Sequence, residues 1–203
     1  MKPSRIGLFA AVALAALLAG CAAMSSLQAD IATYGEWPTG RAPGTYAFDR
    51  LPSQQASAES QQRLEDAAHA ALQAAGFAAA APGATPDVLV QVGARITRFD
   101  RSPWDDPLWW RGGFGPWRRG PWAGPYWGVQ GGYYGASVRY DREVALLLRD
   151  RATGAPLYEA RATSDGNTAG GAEVLGAMYR AALFDFPRSG VNPRSVTVPL
   201  RPQ

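Results

Sequence analysis

The stretch DVLVQVGARITRF, residues 87–99, alternates apolar and polar side chains with a period of two. Val88, Val90, Val92, Ala94 and Ile96 point one way and Gln91, Arg95 and Thr97 the other, which predicts a long strand with one buried face. Residues 138–150 repeat the pattern, with Val144, Leu146 and Leu148 inward and Glu143 and Arg149 outward. DRATG, residues 150–154, reads as a hairpin turn with Gly154 at its left-handed position, and residues 157–164 return as the partner strand. Upstream, residues 31–37 and GTYAFD at 44–49 are short β-like pieces, the second with Tyr46 and Phe48 on one face. Pro38, Gly40, Pro43 and Gly44 break the chain between them. Residues 195–200 add a last strand, confined by Pro199 to an edge.

Two helical patterns interleave with these strands. In residues 57–75, Leu64, Ala67, Ala68, Ala71, Leu72 and Ala75 form an apolar stripe, and Gly76 follows where a left-handed cap belongs. The sole histidine, His69, falls with Glu65 and Gln73 on the opposite face and is expected in solvent. Residues 172–184 carry Val174, Ala177, Met178 and Ala181 as a second stripe, closed by Phe186-Pro187. Two helices on one face of a mostly antiparallel sheet make a two-layer α+β sandwich, a single domain over residues 31–200. Its other sheet face is polar and bears several arginines.

Several of these pieces together resemble a known family. The strand Thr45-Tyr46-Ala47-Phe48, the first helix, Ala84-Thr85-Pro86-Asp87 leading into a strand, the Asp150…Thr153-Gly154 hairpin and the Phe186-Pro187 end are similar to bacterial lipoproteins carrying the domain of unknown function 4136. The likeness covers roughly residues 25–187, with Phe48 standing where the family pattern leads one to expect Trp and no Trp near Tyr158. It implies a fold and an envelope compartment and brings no established activity.

The amino-terminal end points to the same compartment. Lys2 and Arg5 precede a thirteen-residue apolar run, residues 6–18, shorter than the roughly 20 residues of a spanning helix. Small residues follow, as signal-peptide cleavage requires. Leu18-Ala19-Gly20-Cys21 resembles the lipobox of bacterial lipoproteins, which implies diacylglycerol on the Cys21 sulfur and removal of residues 1–20. Lipid transfer needs a nucleophilic thiol. Cys21 is the only cysteine, so an exported chain has no disulfide for it to form. Ala22 in place of Asp, by resemblance to lipoprotein sorting, implies anchoring in the outer membrane on its periplasmic side. Residues 21–30 then read as a lipidated tether.

The unusual stretch is the Gly/Pro/Trp-rich insert between the two long strands, residues 101–136. It holds Trp104, Trp109, Trp110, Trp117, Trp122 and Trp127, six of the seven tryptophans, with Arg111, Arg118, Arg119 and Tyr126 among them. Neither helical nor strand spacing fits it. One reading is a low-complexity hairpin extension folded back on the domain. Another is a membrane-facing element, since Trp and Tyr favour the lipid–water boundary and Arg meets lipid phosphates. A third is stacking on envelope glycans, peptidoglycan or lipopolysaccharide, with Asp105 and Asp106 accepting hydroxyl hydrogen bonds. A partner envelope protein is the fourth.

Catalytic constellations are missing from the sequence. No G-x-S-x-G elbow, phosphate-binding loop or H-E-x-x-H motif occurs, and one histidine offers no metal-ligand spacing. We therefore expect neither an enzyme nor a cofactor or metal site. The 20 basic residues include Lys2 and Arg5, so a chain starting at Cys21 carries 18 basic against 17 acidic residues, which argues against nucleic acid as a partner.

Overall fold

The computed structural model describes residues 26–101 and 137–201. In chain order the elements are β1 (Ser26–Tyr34), β2 (Thr45–Phe48), α1 (Pro52–Ala56), α2 (Ala58–Ala74) and β3 (Ala78–Ala79). They continue with β4 (Val88–Arg101), β5 (Ser137–Asp150), β6 (Pro156–Gly166), α3 (Ala172–Ala182) and β7 (Arg194–Pro199). The strands form one sheet in the order β3-β2-β4-β5-β6-β1-β7. β1 runs antiparallel to both β6 (Asp30↔Thr163) and β7 (Ser26↔Pro199), while the short β2 is parallel to β3 and to β4 (Tyr46↔Val88). The expected α+β architecture is present, with β7 at an edge as Pro199 required. Two compact units share the chain. Of the described residues, one comprises 26–95, 143–164 and 170–201; the other comprises 96–101, 137–142 and 165–169.

The first unit holds the core. Val88, Val90 and Val92 of β4, Val144, Leu146 and Leu148 of β5, Ala160 and Ala162 of β6 and Ala29 and Ile31 of β1 line one sheet face and are buried. Ala68, Ala71 and Leu72 of α2 and Ala177, Met178 and Ala181 of α3 close over them. Burial of each branched side chain stabilises the unit by roughly 2 kcal/mol. Small residues let the helices approach one another closely: a Cβ on Gly176 would stand 3.5 Å from the Ala67 carbonyl oxygen. At one end of this layer Trp37, Phe77 and Phe186 pack against one another with ring centroids 5.0–5.6 Å apart. The Trp37 indole N–H donates to the Arg41 carbonyl at 2.9 Å.

Four expectations are corrected. β1 begins at Ser26, inside the stretch read as tether, because Leu27, Ala29 and Ile31 already alternate inward. It ends at Tyr34, since Gly35 turns the chain at φ +90°, where a Cβ would also lie 2.7 Å from the Leu157 carbonyl oxygen. Along β4 the buried face stops at Val92; Ala94 and Ile96 are exposed, the latter at 43 %. Alternation tells which way a side chain points, not how far the covering layer extends.

The fourth concerns α2, whose buried face is rotated relative to the apolar stripe. Gln61 and Glu65 are buried with Ala68 and Leu72, whereas Leu64 and Ala67 are half-buried. Polar partners explain the rotation. Glu65 forms a two-pronged ion pair with Arg50, both contacts 2.6 Å, and Gln61 donates to the Val92 carbonyl at 3.2 Å. Gln54 of α1 donates to the same carbonyl at 2.9 Å. The β2–β4 ladder ends at Phe48↔Val90, so these two amides satisfy the β4 edge just beyond it. Helix α1 lies ahead of the helix that the periodicity predicts. Its signal was Leu51-Pro52, proline at the first helical position, with the Gln54 side chain accepting the Leu51 N–H at 2.8 Å.

Candidate functional site

Cys21 and the insert positions Trp104, Trp109, Trp110, Arg111, Trp117, Arg118, Arg119, Trp122, Tyr126 and Trp127 lie outside the described residues. Among the described ones, three polar constellations and a groove stand out.

The first constellation gathers the motif residues on which the family resemblance rested. Asp87 accepts both the N–H and the hydroxyl of Thr45 at 2.7 Å, and Asp150 accepts the N–H and hydroxyl of Thr153 at 2.8 and 2.9 Å. Arg41 joins them, 2.7 Å from the Asp150 carboxylate and 3.3 Å from the Asp87 carbonyl. Gly44, at φ +76°, leaves space that a Cβ would take 2.7 Å from the Asp87 carboxylate. Both carboxylates are thus engaged in holding loops at one end of the sheet. The Arg41 hydrogen bond, followed by the two Thr153 donors, pulls the Asp150 pKa from 3.8 to about 2. A depressed carboxylate pKa stabilises the fold above the unfolded value and loses that contribution as protonation sets in. Urea midpoints are therefore expected to fall as pH drops from about 4 toward 2, and Asp150→Asn should be less stable at neutral pH and flatten that acid limb. An unchanged limb in the variant would separate Asp150 from acid unfolding.

The second constellation places His69 differently from the sequence expectation. The ring is half-buried, with Nδ1 2.5 Å from the Tyr46 hydroxyl, because α2 is turned toward the sheet by Gln61 and Glu65. Burial pushes the Tyr46 phenol up to about 12. Among the described residues no group of three His, Cys, Asp or Glu side chains is placed to hold a metal ion. The third lies in the second unit. There Arg142 is 6 % exposed, crosses Gly166 and donates to the Asp165 carbonyl at 2.6 Å, while Arg139 pairs with the Asp165 carboxylate. The sheet face away from the helices bears Arg149 paired with Asp49 and Arg161 paired with Glu159, the polar face the alternation predicted.

The groove, in the first unit, runs between α2 and α3 and has a volume of about 700 Å³. Its floor is Leu64, Ala67 and Ala70 from α2, Leu175 and Gly176 from α3, and Leu200 just after β7. Leu64, Leu175 and Leu200 are each only half-buried, so apolar surface stays open to solvent along it. Leu64 and Ala67, which the periodicity places in the core stripe, pack against its margin and line this groove as well.

Residues 32–188 match the family model described as Domain of unknown function (DUF4136), which is more than half of the chain. No curated protein matches. Among solved structures, a PDZ domain protein from Parabacteroides distasonis ATCC 8503 is similar at 15 % identity and a TM-score of 0.49, over 89 % of this chain and 42 % of that one. The chain thus spans less than half the length of that protein. Two structures of the PelC dodecamer from Paraburkholderia phytofirmans are similar at 14 % and 13 % identity, with TM-scores of 0.39 and 0.40, over 76 % of this chain and 94 % of theirs.

Proposed function

We propose, from the premise that the chain belongs to the DUF4136 family, that it is a lipid-anchored envelope protein acting as a non-catalytic binding or structural module. The reading is supported above all by Leu18-Ala19-Gly20-Cys21 closing the apolar run of residues 6–18 behind Lys2 and Arg5. β1 adds a geometric argument. It starts at Ser26, so four residues separate it from Cys21, and the lipidated cysteine reaches at most about 17 Å from the first strand. A domain held so closely works at the surface of its membrane. The outer membrane, periplasmic side, is the favoured leaflet because Ala22 follows the cysteine. Tryptophans and arginines of residues 104–127 are our choice of contact surface for lipid headgroups or envelope glycans, since Trp favours the lipid–water boundary and Arg meets lipid phosphates. The anchored reading is tested by mass spectrometry of the chain isolated from membranes. The first residue is expected to be Cys21 carrying acyl mass. An unmodified thiol, or a different first residue, would overturn the reading.

A further inference from the structure

The α2–α3 groove combines an apolar slot with an excess of positive charge, and the two together define a ligand class. Its volume of about 700 Å³ falls within the range of small-molecule sites, roughly 300–1,000 Å³. Small side chains along the floor, Ala67, Ala70 and Gly176, leave the space that larger ones would have filled, and the three half-covered leucines beside them supply its apolar surface. A slender unbranched chain suits such a slot. Its methylenes would be removed from water along that floor.

The charged residues lining the groove fix the head of that ligand. Arg63, Arg180 and Arg201 stand against Asp66 and Glu173, three positive groups to two negative. Arg201 is paired with Glu173 at 3.1 Å, and Asp66 accepts an amide N–H from Gln62 at 2.9 Å. Arg63 has no partner among the described residues. Arg180 gives one terminal nitrogen to the Pro199 and Leu200 carbonyls at 2.7 and 2.8 Å, and its buried Nε has no acceptor. The net surplus is one positive charge, carried by guanidinium groups that bind carboxylates well.

Position supplies the third argument. Ser26 pairs with Pro199, and the next residue, Leu200, lies on the groove floor. The chain arriving from Cys21 therefore enters the fold beside the groove. We infer that the groove binds a free fatty acid, its acyl chain along the leucine and alanine floor and its carboxylate against Arg63 and Arg180. The source of the ligand, the adjoining membrane, rests on the anchored reading; the binding itself does not.

The test uses the chain from residue 21 onward with Cys21→Ser, so that neither an attached acyl chain nor the apolar run of residues 6–18 competes and no detergent is needed. A dansylated eleven-carbon fatty acid is titrated in, then displaced with palmitate. Saturable one-to-one binding is expected. Ala70→Trp, an exposed position whose new ring would fill the slot, should abolish it, and Arg63→Glu should weaken it at least about tenfold, both with unchanged thermal unfolding. Absence of saturable binding, or binding indifferent to both substitutions, overturns the proposal. So does equal affinity for a trimethylammonium amphiphile of the same chain length. A positive titration alongside a wild-type chain with an unmodified Cys21 would keep the groove and discard the anchor, so the two failures are distinguishable.

Discussion

Cys21→Ser is expected to move the protein from the membrane fraction to the soluble one almost completely. A serine hydroxyl is a far weaker nucleophile than a thiol and does not take up diacylglycerol in its place. Each buried methylene of an acyl chain contributes about 0.8 kcal/mol, yet a single chain holds a protein only marginally, with a partition constant on the order of 10⁴ M⁻¹. Stable attachment therefore needs several chains on one residue, and under the anchored reading the substitution removes all of them together. What remains is at most the peripheral contact proposed for residues 104–127. Among the described residues no helix is long and apolar enough to cross a membrane. The apolar run of residues 6–18, retained if cleavage fails, is too short to span. Folding should be untouched, because the first buried side chain among the described residues, Leu27, lies six positions on from Cys21. The measurement is fractionation in parallel with thermal unfolding. Serine variant and wild type staying together in the membrane pellet after a high-salt wash would refute the covalent anchor. A lowered unfolding temperature would show instead that residues before β1 contribute to the fold.

What the sequence disclosed and what it concealed follow from one physical distinction. Alternation in residues 87–99 and 138–150 tells which side chains share a face, and Val88, Val90, Val92, Val144, Leu146 and Leu148 all lie in the core as predicted. Glycine positions were legible for the same local reason: Gly76 and Gly154 have φ of +92° and +73°. Long-range pairing leaves no comparable local trace. Glu65 looks like a solvated residue until Arg50 is brought beside it, and only then can α2 turn its Glu65 face inward and leave Leu64 and Ala67 at the core's margin, along the groove. Tyr46 and His69, 23 positions apart, meet for the same reason. The early start of β1 was written in Leu27, Ala29 and Ile31 but is confirmed only by β7, more than 160 residues later. The residues with the strongest local signature of contact, Cys21 and the tryptophans of 104–127, are those outside the described structure, while the groove, built from three separate segments, has no signature at all.

Tyr179→Ala should cost about 3–5 kcal/mol, a substantial part of the 5–15 kcal/mol that typically holds a domain together. The ring is fully buried on α3, and its hydroxyl reaches the Gly93 carbonyl of β4 at 3.1 Å. Truncation thus removes an aromatic ring from the helix–sheet interface and leaves a cavity that the surrounding close-packed side chains cannot collapse to fill. Tyr179→Phe separates the two contributions. It keeps the ring, removes one hydrogen bond and is expected to cost only about 1 kcal/mol. The same residue is diagnostic at high pH. Burial pushes the Tyr46 and Tyr158 phenols from 10.0 up to about 12 and raises that of Tyr179 further still. Above pH 10 the unfolded chain ionises these phenols while the folded chain does not, so stability is intact below that pH and falls as pH rises through 12 and beyond. Tyr179→Phe deletes one of the three groups, and its alkaline limb should be correspondingly shallower even though its stability at neutral pH is slightly lower. Urea titrations of wild type and both variants between pH 7 and 11.5 measure the two effects together. If Tyr179→Ala unfolds at nearly the wild-type urea concentration, the ring is not packed between α3 and β4. If the Phe variant keeps the full alkaline slope, the phenol that titrates on unfolding is not the buried one on α3.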